Sequence, residues 1–308
     1  MADIARPGAE LDADPLRNRE AARRRRRRTV RRYLTHPAFM IGVVLLCLLG
    51  FVALLAPWIA PHSPLETNMG LILTGPSAEY PLGTDQYGRC VLSRLIFGAR
   101  VSLLVAFWVV AISLTFGTLI GAAAGYLSGW VERAFVVLID IMLAFPGFLL
   151  ALALVAAQGS SLRSVIVAVA IAYTPRVATV MRSVVLTIKP RPYIEASQAI
   201  GLGHLSILLR HVIPNAMAPV IVVATVSAAT AILAEAGLSF LGLGVQPPQP
   251  TWGSVIADGQ SVITTNPTIS IFAGLCIAVT VIALNLLGDG LRDTLDPQMR
   301  RETGGKLL

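Results

Sequence analysis

From residue 38 onward, long apolar runs alternate with short polar breaks, and the lengths of the runs carry the first structural information. A helix needs about 20 consecutive apolar residues to cross the hydrocarbon core of a bilayer. Six stretches meet or approach that length: 38–60, 101–126, 134–157, 164–188, 212–234 and 269–288. The first has 23 residues and no charge, the third is interrupted only by Asp140, and the fourth is weakest because Arg176 and Arg182 follow Pro175 within it. The pattern predicts an all-α integral membrane protein, a polytopic bundle of six transmembrane helices. The first run is longer than the 7–15 residues of a signal-peptide apolar region, and more spans follow it, so it reads as a retained helix.

The runs divide the chain into a tail (1–37), a first transmembrane helix (38–60), a loop (61–99), a five-helix core (100–290) and a closing tail (291–308). Within the core, the polar segment 189–215 separates the fourth and fifth spans. The fourth span is a poor lipid-facing element, since a charge at mid-bilayer costs about 2.5–3.5 kcal/mol on insertion scales. It is expected inside the bundle, with its arginines near one end reaching the interface. The second span contains GTLIGAAAGY, whose small residues let membrane helices approach closely.

Composition agrees with this picture. The chain is 55% hydrophobic and 14% charged, where soluble domains carry about 25% charged residues; one water-soluble core cannot hold that surplus of apolar side chains. Net charge is +8, and 11 of the 25 basic residues lie within 1–37. The arginines 23–28 could contact nucleic acid, but directly before an apolar span they read as an anchor to anionic headgroups, and no nucleic-acid partner is expected. With the N-terminus placed in the cytoplasm, 21 of the 25 basic residues fall on that side. The positive-inside rule then predicts that both termini are cytoplasmic and that segment 189–215 lies on the same side. The three cysteines suggest neither a disulfide framework nor a metal site.

The segment PYIEASQAIGLGHLSILLRHVIPN (192–215) is too polar to span and too ordered in pattern for a slack loop. Pro190 and Pro192 suit a first helical turn, and Glu195 suits the positive end of its dipole. Gly201 and Gly203 interrupt the helix, and a second helix over 204–212 is expected to end at Pro214. A helix that merely floats on lipid carries basic residues along its polar face, and 193–203 has none. A protein partner fits better.

EASQAIGLGHLSILLRHVIPN resembles the EAA loop of ABC importer permeases, with Glu195, Ala196, Gly201, Ile207 and Pro214 in matching places. Three flanking segments are similar to the C-type permeases of dipeptide, oligopeptide and nickel importers: YPLGTDQYGRCVLSRLIFGARVSL, AEAGLSFLGLGVQPPQPTWG and NLLGDGLRDTLDP. The four fall in the expected order between residues 80 and 297. Cys90 departs from the pattern, standing where the family has an acid. The resemblance implies a type I ABC importer permease fold and a subunit of an ATP-driven, binding-protein-dependent importer of peptides, or of nickel or another small solute. It further implies a prokaryotic plasma-membrane location, a homologous but non-identical permease partner, two ABC ATPase chains carrying ATP and Mg, and an extracytoplasmic substrate-binding protein. Tyr193, Glu195, Ala196, Gly201, Ile207 and Pro214 would couple the ATPase chains to the spans. Loops 61–98 and 245–268 would meet the binding protein, the second as a firm interfacial turn built on Pro247, Pro248, Pro250 and Trp252.

No catalytic residue, cofactor or metal site is expected on this chain itself. It has no phosphate loop; the terminal GGK lacks the first glycine and the hydroxyl residue. His204 and His211 have no carboxylate or thiol placed to complete a metal site. An intramembrane enzyme would need a nucleophile with a base, and GLSFLG around Ser239 supplies neither the G-x-S-x-G spacing nor a histidine within a span. An ion-driven secondary transporter would show inverted repeats, and the two halves are not similar. Two carboxylates at membrane depth remain. Asp140 reads equally as a structural ion pair or a path-lining group, and Glu235 reads mainly as structural.

Overall fold

The computed structural model describes residues 35–295. The arginines 23–28 and the closing tail beyond 295 lie outside the described residues. Helices α1 (Pro37–Leu54), α3 (Val91–Tyr126), α6 (Leu162–Ile188), α9 (Ile213–Phe240) and α11 (Thr268–Leu295) form the bundle. Each is long and apolar enough to cross a membrane, α9 together with the turns leading into it. Among the described residues no regular strand occurs. Short helices α2 (Ala56–Ile59) and α10 (Trp252–Gln260) lie at one end, here the top; α7 (Pro192–Ala199) and α8 (His204–Ile207) lie at the other, the base. Helix α1 starts and α11 finishes at the base, where His36 Nε2 is 3.2 Å from Asp293 Oδ2.

The third predicted span is broken. Helices α4 (Trp130–Leu143) and α5 (Gly147–Gln158) meet at an 87° bend. Pro146 is the N-cap residue of α5; it removes a backbone donor and drives the residue before it out of helical geometry. Six spans are counted only if this bent pair is one of them.

Small residues set the closest helix contacts. Gly117, Gly121 and Gly125 lie one per turn along α3 and face α6. A Cβ at these positions would stand 2.6 Å from the Val177 side chain, 2.3 Å from the Ala178 carbonyl and 2.8 Å from the Val185 side chain. With no hydrophobic effect acting between helices in lipid, such backbone approach is a principal source of association. At Gly42 of α1 the backbone of α11 is equally near, 2.7 Å from a Cβ to the Leu287 nitrogen. Helix α6 is the most enclosed span, 67% of its most apolar window being buried, as its arginines suggested. Only Arg182 lies near the base, paired with Glu132 at 3.1 Å. Arg176 is the fifteenth of 27 residues, at mid-helix rather than near an end.

Two further expectations are corrected. The helix opening at His204 does not stop at Pro214. It widens into a π turn over Leu208–Val212 and continues as α9, with Pro214 in its first turn. A π turn re-spaces the hydrogen-bond ladder just where proline has no N–H to contribute. Trp252, expected in an interfacial turn, is 1% exposed. It opens α10 behind a Thr251–Ser254 capping box, and its indole N–H donates to the Leu95 carbonyl at 3.0 Å.

Candidate functional site: the base loop and its anchors

The loop between α6 and α9 has one face locked to the bundle and one face open. Helix α7 begins with Pro192 in its first turn, and Glu195 lies there too. Ile194 and Ile207 point inward and are fully buried. Both sit in a cluster with Tyr126, Met181, Val185, Ile188 and Val212, so the loop is fastened to α3, α6 and α9 at once. Ile207 is thus an anchor; a partner could not reach it. Polar ties add to the grip. The Tyr126 hydroxyl lies 3.5 Å from Gln198 Nε2 and 3.4 Å from His204 Nδ1. Lys189 Nζ donates to Ser128 Oγ at 3.0 Å.

The turn between α7 and α8 is a locked cap. Gly201 has φ +82, the left-handed region that side chains resist. Its N–H donates to the Gln198 carbonyl at 2.9 Å, and Leu202 N–H donates to the Ser197 carbonyl at 3.2 Å. These two bonds define a Schellman closure, which satisfies the free carbonyls at the end of α7. Gly203 has no positive φ and open space around it, so the turn depends on Gly201 alone.

The open face carries Glu195, Ala196 and Ala199, all exposed, beside Tyr193. The sequence suggested a protein partner for this segment from its lack of basic residues. Large apolar side chains are exposed on the same loop, which the sequence did not signal: Ile200 is 76% exposed and Leu205 68%. Both lie on the polar connection beyond the end of α6, where lipid does not explain them. Large exposed apolar patches are a feature of interaction surfaces.

Of the two carboxylates at membrane depth, Glu235 is sealed. Ser239 Oγ donates to its Oε1 at 2.7 Å and Ser102 Oγ to its Oε2 at 3.3 Å. Thr251 Oγ1 is 3.4 Å from Ser239 Oγ, and Trp252 N–H reaches Ser102 Oγ at 3.4 Å. The cluster ties α3 and α9 to the start of α10. Asp140, by contrast, is exposed on α4, with no side-chain bond to the described residues.

At the top, an ion-pair network escaped the sequence reading. Asp85 is 1% exposed and accepts from the Tyr87 and Arg89 N–H groups at 2.8 and 3.0 Å. It also accepts from Arg89 Nε at 2.7 Å and Arg94 Nη1 at 2.6 Å. Both arginines reach Asp258 of α10, at 2.9 and 2.7 Å. Cys90 is the N-cap residue of α3 and makes no side-chain capping bond, so the capping that an acid there would supply is absent. The Asp85 network holds without it.

The arrangement, a small-residue membrane bundle with an anchored loop at one end and a braced cap at the other, is that of a transport permease. The chain belongs to the family of binding-protein-dependent transport system inner membrane components, whose model matches residues 117–301. The model of the N-terminal membrane domain of oligopeptide transport permease C matches residues 25–76. The chain is 41% identical over 261 residues to the dipeptide transport system permease protein DppC of Alkalihalophilus pseudofirmus, covering 85% of this chain and 86% of that one. It is 44% identical to the di/tripeptide transport system permease protein DppC of Pseudomonas aeruginosa, covering 84% and 88%. With the glutathione transport system permease protein GsiD of Escherichia coli it shares 39% identity over 95% of this chain and 97% of that one. A chain of the MetNI methionine ABC transporter, solved facing inward, has the same fold: TM-score 0.55 at 19% identity, covering 65% of this chain and 96% of that one.

Proposed function

We propose that this chain is the non-catalytic permease subunit of an ATP-driven peptide importer, with its base loop as the point where ATPase chains dock. The observation that carries the reading is the two-sided loop. Ile194 and Ile207 are fully buried in the bundle, while Ile200 and Leu205 stand exposed on the same loop as the exposed Glu195. A rigid element clamped to α3, α6 and α9 transmits displacement to them, and a change in helix packing can then switch access from one side to the other. ATP and Mg belong to the ATPase chains. A homologous permease completes the path, and the cap around Asp85 and Asp258 faces an extracytoplasmic binding protein. The base, with both chain termini, faces the cytoplasm. Dipeptides, tripeptides and glutathione in the names of the relatives support peptide as the substrate class.

Glu195→Arg in the assembled complex tests the reading. Recovery of the ATPase chains with the permease pair should fall while the pair itself stays intact. Undiminished recovery together with normal uptake in proteoliposomes would count against direct docking on this face.

A further inference from the structure

We infer that the pocket around Arg100 binds an anionic phospholipid from the leaflet at the top of the bundle, with the lipid phosphate on the guanidinium. Residues 55–100, 159–163 and 241–268, which form that end, contain four basic side chains: Arg89, Arg94, Arg100 and Arg163. Two are already engaged, since Arg89 and Arg94 pair with Asp85 and Asp258. Arg100 and Arg163 are exposed and form no ion pair among the described residues. Arg100 is also the last charge before the uncharged run 101–126 of α3. A long basic side chain at the edge of the hydrocarbon reaches the headgroups.

Arg100 stands in a built pocket. Phe97, Arg100, Val101 and Leu104 of α3 enclose about 250 Å³ together with Leu162, Gln249 and Pro250. Leu162 is the first residue of α6, and the other two belong to the loop before α10. Phe97, Val101 and Leu104 recur at helical spacing and form one wall. The remaining walls are held in place. Leu162 packs against the core cluster that joins α3, α5, α6 and α9. Pro250 is buried, and a Cβ on Gly98 would stand 3.3 Å from the carbonyl carbon of Thr251, so the loop lies directly on α3.

Size and chemistry select the ligand. Sites for whole drug-sized molecules occupy about 300–1,000 Å³, so this pocket takes part of a ligand and not an entire peptide. Five of its seven lining residues are apolar, and only Arg100 and Gln249 offer polar groups. A guanidinium grips a phosphate through two parallel hydrogen bonds, and the Gln249 amide is a further donor. Below Arg100, Leu104, Phe107 and Trp108 are exposed. At 100° per residue they fall with Arg100 within an arc of about 100° on α3. An acyl chain lying on this strip continues from the pocket into the bilayer, a contact that a small soluble anion does not make.

The test uses the complete complex, with partner permease, ATPases and binding protein, in nanodiscs of phosphatidylcholine with phosphatidylglycerol as the minor lipid. Native mass spectrometry of the released complex should show phosphatidylglycerol retained in preference to phosphatidylcholine. Arg100→Gln should lower that preference roughly tenfold, the scale of a hydrogen bond to a charged group, and Arg100→Lys should keep part of it. Leu104→Trp narrows the pocket with the charge in place and should lower the preference as well. Inorganic phosphate should not displace the lipid; displacement would assign the pocket to a free anion and overturn the lipid site. Equal retention of the two lipids by the wild type, or an unchanged preference in either Arg100→Gln or Leu104→Trp, would also overturn it. Loss of the partner permease from Arg100→Gln would do the same, by assigning the arginine to a subunit contact. Lipid retention is read without transport, so failure of the peptide reading and failure of this site are separate results.

Discussion

The phenol of Tyr126, the last residue of α3, meets the imidazole of His204 edge to face with ring centroids 5.9 Å apart. The base loop is thereby tied to a helix that it does not adjoin in sequence. Removing the hydroxyl in Tyr126→Phe keeps the ring packing and deletes the links to His204 Nδ1 and Gln198 Nε2. Each part-buried hydrogen bond contributes about 0.5–1.5 kcal/mol. Amide exchange across 194–205 should quicken severalfold while the spans stay protected. Exchange unchanged in that window would show that Ile194 and Ile207 alone hold the loop.

The two glycines of the loop should respond differently. Gly201→Ala forces a side chain into the left-handed region at φ +82, at a cost of about 1–2 kcal/mol. Gly203→Ala meets neither a positive φ nor a neighbour within 4 Å and should be close to neutral. The measurement is ATPase binding and coupled uptake in the reconstituted complex. Equal effects of the two substitutions would remove the locked turn as the explanation.

How much of this was readable in the chain depends on the range of the interaction. The existence of the apolar spans and the helix–glycine–helix course of the base loop follow from local apolar runs and from Pro192 and Gly201, but the bounds shift: the run 101–126 belongs to a helix that already starts at Val91, and the run 38–60 closes its first helix at Leu54. The break at Pro146 was equally local, yet a continuous apolar run concealed it. The exposed Ile200 and Leu205 looked like ordinary helix residues, because only the buried Ile194 and Ile207 define which face is open. Trp252 looked interfacial because its partner, Leu95, lies 157 positions away. The pairing of Arg94 with Asp258 spans 164 positions and has no local signature.

Helix approach in the membrane gives a stability prediction. A Cβ at Gly121 would stand 2.3 Å from the Ala178 carbonyl oxygen, a backbone atom that cannot swing aside. Gly121→Ala should destabilise the protein by about 1–3 kcal/mol, the range for overpacking a close contact. Gly50→Ala is the control, since nothing lies within 4 Å of that position. Thermal unfolding in one detergent should separate the two. A midpoint for Gly121→Ala equal to that of the control would show that α3 and α6 part easily.

The cap at the top rests on charges withdrawn from water, where the cost of removing one partner exceeds the value of the pair. Arg94 and Asp85 are 5% and 1% exposed. Arg94→Met would leave Asp85 with one guanidinium, from Arg89, and would deprive Asp258 of a second. Breaking a buried pair in this way costs about 3–5 kcal/mol. Partial compensation through Arg89, which is 15% exposed, places the expectation at the lower end. Asp258→Asn removes a more exposed acid, 27% by side chain, and keeps the Asp85–Arg94 contact, so it should cost less. The ordering of the two variants in thermal unfolding is the decisive reading. If Asp258→Asn proved the more damaging, the weight of the cap would lie on α10 rather than on the buried Asp85.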